Sequence, residues 1–208
     1  MSNNNIILHK NDLPESFTLK GKSIAIDTET MGLNLHRDRL CLLQLKDESN
    51  TVHLIQFARK NYKAPNLIKI LANKEIEKIF HYARFDLTAI YIYLGVLCEN
   101  IFCTKIASKL VRTYTDRHGL QELVRQLLQI EIKKQHQLSD WGAENLSDDQ
   151  KNYAAADVLY LHQLKEILTN MLVREDRLAL AESCFRFLPA KTILDILGWL
   201  DEKDIFQH

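Results

Sequence analysis

The stretch Ser23–Thr30 reads SIAIDTET: an apolar run, Ile24 to Ile26, followed by two acids, Asp27 and Glu29, two residues apart. In a strand, residues two apart point to the same face. Two carboxylates placed side by side repel, and each resists ionisation unless a cation sits between them. A divalent metal ion is the chemistry such a pair can do. The plain alternative is a pair of solvated carboxylates at a strand end, because D-x-E arises easily by chance among 27 acidic residues.

Two further acids stand in comparable positions. Asp86 follows KIFHY and ARF at the start of an expected helix, where its charge complements the positive end of the dipole, itself a sufficient reason for an acid. Asp157 lies in KNYAAADVLYL, four residues after Tyr153, so the two stack on one helical face. The neighbouring face carries Val158, Leu161 and Leu164, which should pack on a sheet. An acid beside that packing face is poorly solvated unless it has a cationic partner; taken alone, a surface Tyr–Asp pair accounts for the motif.

The elements that must position these residues are legible from patterning. Ser23–Glu29, Leu40–Lys46 and Thr51–Phe57 are short apolar runs separated by polar turns, which predicts an antiparallel meander. Pro65 opens a short helix, PNLIKILAN, and Lys78–Tyr82 reads as a further strand reached through a β-α-β connection. Beyond Asp86 the pattern is helical almost throughout. HGLQELVRQLLQ places Leu120, Leu123, Val124, Leu127 and Leu128 at amphipathic spacing. Ser147 and Gln150 have the form of a capping box, with Asp148 and Asp149 at the positive end of the dipole, and predict a long helix running to about Met171. The segment LALAESCFRFLPAKTILDILGWL is expected as a helix, a break near Pro189, and another helix. These elements predict an α/β fold: a mixed sheet flanked by helices, with a helical C-terminal part. No linker composition or repeat divides residues 1–208, so a single domain is expected.

Bulk properties narrow the function classes. Hydrophobic content of 46% and charged content of 26% belong to a globular chain. Lys plus Arg equals Asp plus Glu at 27 each, without the basic surplus of proteins that grip long duplexes. A short nucleic acid held by metals remains compatible with that balance. Cys41, Cys98, Cys103 and Cys184 form no C-x-x-C pair and no zinc pattern, and are expected as reduced, buried thiols in a cytoplasmic protein. The start, MSNNNIILHKNDLPES, lacks the basic and apolar regions of a signal peptide. Leu87–Cys98, the longest apolar window, falls short of the roughly 20 residues a membrane span needs. Within Lys105–Lys134, Lys105, Lys109, Arg112, Arg117, Arg125, Lys133 and Lys134 outnumber Asp116, Glu122 and Glu131. Such a surplus is either a solvated helical face or a set of phosphate contacts, with Arg112 a candidate among them.

Taken together, SIAIDTET, HYARFD and NYAAADVLYL resemble the three motifs of the DEDD superfamily of 3′-to-5′ exonucleases, in the form with a tyrosine in the third motif. The pattern K-x-x-x-x-SDW, Lys134 to Trp141, is similar to the ribonuclease D branch. ETMGLNLHRDRLCLLQL, FCTKIASKLVRTYTDRHGL and FLPAKTILDILGWLDEKDIF are similar, nearly end to end, to its small nano-RNase C group. Over its 208 residues the sequence is expected to depart from ribonuclease D proper in lacking the helical RNA-binding domains that follow the catalytic domain there. That counts against processing of long structured RNA.

The resemblance implies a ribonuclease H-like fold and a metal-dependent exoribonuclease acting on dinucleotides and short single-stranded RNA. It implies Asp27, Glu29, Asp86 and Asp157 as ligands of two divalent ions, Mg²⁺ or Mn²⁺. Such ions suit carboxylate oxygens, and a pair about 4 Å apart can activate a water and stabilise the leaving oxygen. Tyr153, with an ordinary pKa of about 10, would orient that water rather than act as a full base. By the same resemblance Thr30, Met31, Gly32 and Leu33 meet the terminal nucleotide; Met31 and Leu33 are either wedges against bases or ordinary core. His81, Tyr82 and Phe85 flank the second motif, where aromatic stacking on bases is available, and His81 is equally readable as a core histidine. Trp141 either stacks or packs, with packing favoured. A homo-oligomer is implied, ring-like and octameric, with the apolar tail GWLDEKDIF either a subunit contact or docked on its own domain. The competing readings are trimming of tRNA 3′ ends, a broader RNA and DNA exonuclease, and an inactive exonuclease fold serving as a scaffold.

Overall fold

The computed structural model describes residues 5–132, 139–199 and 205. The strands are β1 (Asn5–Lys10), β2 (Ser23–Thr30), β3 (Leu40–Lys46), β4 (Thr51–Gln56), β5 (Glu77–Phe80) and β6 (Ile101–Cys103). The helices are α1 (Pro65–Ala72), α2 (Ala83–Leu94), α3 (Thr104–Val111), α4 (Leu120–Leu123), α5 (Asp148–Leu159), α6 (Leu161–Arg174) and α7 (Leu178–Ile196), with π-helical turns over Val124–Leu128. One mixed sheet runs in the order β1-β4-β3-β2-β5-β6. Its middle, β2-β3-β4, is the expected antiparallel meander, while β1 on β4, β5 on β2 and β6 on β5 are parallel.

The sheet forms because its central strands are apolar on both faces, as strands covered on both sides must be. Ile24, Ala25 and Ile26 of β2, Leu40 to Leu43 of β3, and Leu54 and Ile55 of β4 are fully buried. Helix α5 packs across β2, β3 and β4, and α6 rests on α3, β5 and β2. Val158, Leu161 and Leu164, the expected packing face, are fully buried. This is the mixed sheet flanked by helices that the sequence predicts. Among the described residues no helix is long and apolar enough to cross a membrane.

Four local expectations are corrected. Strands β1 and β6 go unanticipated: β1 is a half-exposed edge, and β6 has only three residues, too few to display a period. The strand read as Lys78–Tyr82 ends at Phe80, because Tyr82 turns into the left-handed region, φ 68°, to start α2. The long helix after Ser147 breaks at Tyr160, φ −106° and ψ −1°, into α5 and α6. Conversely, α7 runs unbroken through Pro189. Proline removes one backbone donor there, but Phe185, Leu188 and Thr192 are buried around it, and the Thr192 hydroxyl donates to the Leu188 carbonyl at 3.0 Å.

Candidate active site

Strand β2 is buried through Ile26 and opens at its C-terminal end, where Asp27 and Glu29 are partly exposed. Across the ladder Asp27 faces Gln44 and Glu29 faces Leu42, and the register shifts between Glu29 and Thr30. A bulge at a strand end re-aims side chains and terminates pairing, so the two acids look out of the sheet.

Helix α5 delivers the third acid. Its start is fixed by the expected capping box: the Ser147 hydroxyl accepts from the Gln150 N–H at 3.1 Å, and Oε1 of Gln150 accepts from the Ser147 N–H at 2.9 Å. Ala154, Ala155 and Val158 then bury one face, and Tyr153 and Asp157 project from the next. One carboxylate oxygen from each of Asp27, Glu29 and Asp157 lies within 4.8 Å of the others.

Asp86 comes from the first turn of α2 and stands outside that cluster. It is buried, and its Oδ1 accepts a 2.6 Å hydrogen bond from the Thr28 hydroxyl. Thr28 is the residue between the two acids of β2, with its side chain alternating away from them. Asp86 and Asp27 are still close enough for the charge of Asp27 to oppose ionisation of Asp86.

The electrostatics follow from crowding acids into a buried place. Burial is the largest cause at all four. It pushes Asp27 up to about 7, and with the charges of Asp27, Asp157 and Asp86 it pushes Glu29 up to about 10. Asp86 and Asp157 are held well above the usual carboxylate range. The cationic residues lining the same cleft are occupied elsewhere: Arg125 pairs with Glu122 at 2.7 Å, and the Lys105 ammonium lies over the Tyr82 ring at 3.9 Å. Clustered carboxylate oxygens with no cationic side chain paired to them among the described residues, and no sulfur or imidazole in the set, fit a hard divalent cation such as Mg²⁺ or Mn²⁺.

Asp27, Glu29 and Asp157 line a cleft of about 640 Å³ that also includes His81, Tyr82 and Tyr153 in its walls. Tyr153 is half-buried, and burial plus the charges of Asp157, Glu29 and Asp27 raise its hydroxyl above the ordinary value. It therefore stays protonated and can donate. Its ring lies 6.0 Å from that of Trp141, which is buried and packs, as favoured above. His81 is partly buried; its Nδ1 lies 2.9 Å from the Thr104 hydroxyl, and burial lowers its pKa to about 3, so it is neutral. Tyr82 is exposed and also borders a second cleft of about 650 Å³ that contains Leu33, Arg37, Arg84, Phe85 and Asp195.

The loop after β2 is not core. Met31 is 51% and Leu33 87% exposed, which removes the core alternative for both. Thr30 and Gly32 build the turn: the Thr30 hydroxyl donates to the Gly32 carbonyl at 2.6 Å, and a Cβ on Gly32 would come within 2.5 Å of Oδ2 of Asp38. Of these four residues only Leu33 lines either cleft.

Arg112 is a correction. It is fully buried at the end of α3, and its guanidinium donates to the Ser108 hydroxyl (3.1 Å), the Arg117 carbonyl (2.9 Å) and Gln126. A cation used to tie helix α3 to the following turn is not available to a phosphate. Lys133, Lys134 and most of the K-x-x-x-x-SDW pattern lie outside the described residues, as does Phe206. Sequence reasoning passes over Thr28 and Gln44. Both touch site carboxylates, and the available signal was positional: one sits between the paired acids, the other in the strand that must pair with them.

A profile described as 3′-5′ exonuclease matches residues 6–173. Ribonuclease D from Gluconacetobacter diazotrophicus is 38% identical over 156 residues, 74% of this chain and 39% of the relative. The chain spans about two fifths of the length of the curated ribonuclease D relatives it matches. Among solved structures, Brucella melitensis NrnC bound to pGG is 51% identical with a TM-score of 0.94, covering 98% of each chain. The same protein with bound Mg²⁺ is 50% identical, TM-score 0.93, covering 98% of this chain and 99% of that one. Escherichia coli RNase D, an exoribonuclease, is 25% identical, TM-score 0.71, over 82% of this chain and 45% of its own. The match runs from β1 to the end of α6 and takes in every acid of the cleft, so the chain belongs to the 3′-5′ exonuclease family.

Proposed function

We propose that this chain is a metal-dependent 3′-5′ exoribonuclease that hydrolyses dinucleotides and other short oligoribonucleotides to mononucleotides, acting as one exonuclease domain. The carrying observation is the convergence of Asp27, Glu29 and Asp157 oxygens within 4.8 Å in an open cleft. Near-complete likeness to an NrnC structure that holds pGG, and to another that holds Mg²⁺, supports the short substrate and the divalent metal.

Asp27, Glu29 and Asp157 would hold divalent ions, with Asp86, close enough to feel the charge of Asp27, as a fourth carboxylate. Bound there, a pair of ions supplies an activated water and neutralises charge on the leaving 3′ oxygen. The protein's own groups do the rest. The Tyr153 hydroxyl, kept protonated by its acidic surroundings, hydrogen-bonds the attacking water and sets its line of approach. Tyr82 offers an exposed ring at the junction of the two clefts for stacking on a base, and Leu33 an exposed apolar side chain beside it. His81, neutral and tied to Thr104, shapes the wall without adding charge.

Free thiols at Cys41, Cys98, Cys103 and Cys184 fit action in the cytoplasm. Exposed apolar residues on and after α7, including Leu180, Leu197 and Trp199, support a homo-oligomer, which we take to be ring-like and octameric. A ribonuclease D-like trimming activity is favoured by the curated relatives, though the chain spans only about two fifths of their length.

A length series decides between the two: 5′-labelled RNAs from two to about twenty nucleotides, plus a tRNA with a 3′ extension, with Mn²⁺ or Mg²⁺. Fastest cleavage of the dinucleotide is expected. Trimming of tRNA and long oligomers with dinucleotides left behind would sink the short-substrate reading.

A further inference from the structure

Two carboxylates of the site are each gripped by one neutral side-chain donor. Gln44 stands directly across the β2–β3 ladder from Asp27, and its Nε2 donates to Oδ2 of Asp27 at 3.4 Å. Thr28, the next residue along β2, donates its hydroxyl to Oδ1 of Asp86 at 2.6 Å. Gln44 is fully buried, and Thr28 and Asp86 are nearly so. Among the described residues these are the only side-chain donors to the two acids; the other hydrogen bonds that reach these carboxylates come from the backbone N–H groups of Thr28 and Asp86.

The state of Gln44 points past a packing role. Its Oε1 is buried with no hydrogen-bond partner. A buried amide whose acceptor is unsatisfied is unfavourable compared with an apolar side chain of similar size. What distinguishes glutamine from leucine or methionine at this position is the bond it does make, to Asp27. The neutrality of both donors matters as well. An arginine or lysine at either place would pair with the carboxylate and cancel the charge that draws a cation. An amide and a hydroxyl orient the oxygen and leave the charge in place.

We propose that Gln44 and Thr28 are positioning residues of this site: each holds one oxygen of one carboxylate, Asp27 and Asp86 respectively, and so fixes the orientation in which that carboxylate meets a divalent cation. Groups that orient metal ligands from behind contribute to affinity without touching the ion. Asp86, held by Thr28, stands beside the three-oxygen cluster of Asp27, Glu29 and Asp157 rather than within it. Donor side chains from two adjacent strands therefore set the geometry of acids drawn from a strand and a helix.

This rests on the metal-binding part of the proposed function, and the test separates the two. Mn²⁺ affinity is measured by titration calorimetry on the parent, Thr28→Val, Thr28→Ser and Gln44→Met, alongside metal-free melting and kcat on a dinucleotide. Thr28→Val and Gln44→Met are expected to weaken Mn²⁺ binding about 10- to 100-fold, the range for lost outer partners of metal ligands. Thr28→Ser, which restores the hydroxyl, is expected to recover parental affinity. Metal-free Tm is expected to stay close to parental in Thr28→Val and Gln44→Met, which keep the side-chain volume, and to fall slightly in Thr28→Ser, which loses a buried methyl. Parental Mn²⁺ affinity in both Thr28→Val and Gln44→Met overturns the proposal, as does a Thr28→Ser as impaired as Thr28→Val. Should Thr28→Val fail to fold, Gln44→Met carries the same test at the other carboxylate. A parent that binds Mn²⁺ but cuts no dinucleotide defeats the functional reading alone; a parent that binds no Mn²⁺ defeats both.

Discussion

Burial prepares Asp27 and Glu29 for a cation by making them poor anions without one. With Asp27 held up to about 7 and Glu29 to about 10, the metal-free native state keeps protons that the unfolded chain releases near pH 4. The native state then binds more protons than the unfolded state, so stability falls as pH rises from about 4 through those two values. A bound cation replaces the protons and removes the penalty. We therefore expect the metal-free chain to melt at a lower temperature at pH 8 than at pH 6, and Mn²⁺ to raise Tm more at pH 8; scanning calorimetry at both values checks this. A metal-free Tm indifferent to pH would contradict the crowding of charge. Tyr153 belongs to the same environment. Tyr153→Phe is expected to lower kcat by about 10²-fold, the lower end for a positioned proton-handling group, with Mn²⁺ affinity unchanged in titration. Equal kcat would take the hydroxyl out of the reaction. The types and spacing of these residues were legible because strand alternation and helical periodicity are local rules. The bond that holds Asp86 was not legible, because it joins the Thr28 hydroxyl to α2, a contact 58 residues apart.

The elements divide in the same way. Helix α5 is set by its first four residues, and the Ser147–Gln150 capping box could be read directly because both of its bonds lie within one turn. Ser147→Ala is expected to lower folding stability by about 1 kcal/mol, seen as a shifted denaturation midpoint. Tyr153 and Asp157 lie further along the helix, so Mn²⁺ binding by the folded fraction should persist. An unshifted midpoint would mean that packing on the sheet alone fixes this helix. Elements governed from outside their own sequence were misread. Pro189 breaks an isolated helix, but the surroundings of Phe185, Leu188 and Thr192 carry α7 through it. The break at Tyr160 and the π-helical turns of Val124–Leu128 carry no proline or glycine to announce them. Arg112 looked like a surface cation because composition cannot tell a charge that faces solvent from one that closes a turn.

At the scale of the whole molecule, the end of α7 links the site to the outer surface. Asp195, near its last turn, is buried and accepts from Arg84 of α2 at 2.7 Å and from Lys191 at 3.0 Å. That clasp sets the last turn of α7 against the helix bearing Asp86, and Ile196 and Gly198 complete the wall of the second cleft. Directly beyond, Leu197 is 66% and Trp199 43% exposed. Covering such residues is favourable by about 25 cal/mol per Å² of apolar surface, and a stable contact between copies needs more than about 1,000 Å² in all. We expect a second copy seated there to narrow the second cleft at the side lined by Ile196 and Gly198 and so to favour short 3′ ends. We expect light scattering to return a multiple of the 24.2 kDa chain mass, and the double variant Leu197→Glu, Trp199→Glu to dissociate. The dissociated chain should still cut dinucleotides, since neither residue touches the carboxylates, but should lose its preference for them over longer RNA. Dissociation with the length preference intact would place selectivity within the single chain, in Tyr82, Leu33 and the clefts they border. A monomeric parent would remove the assembly from the explanation altogether.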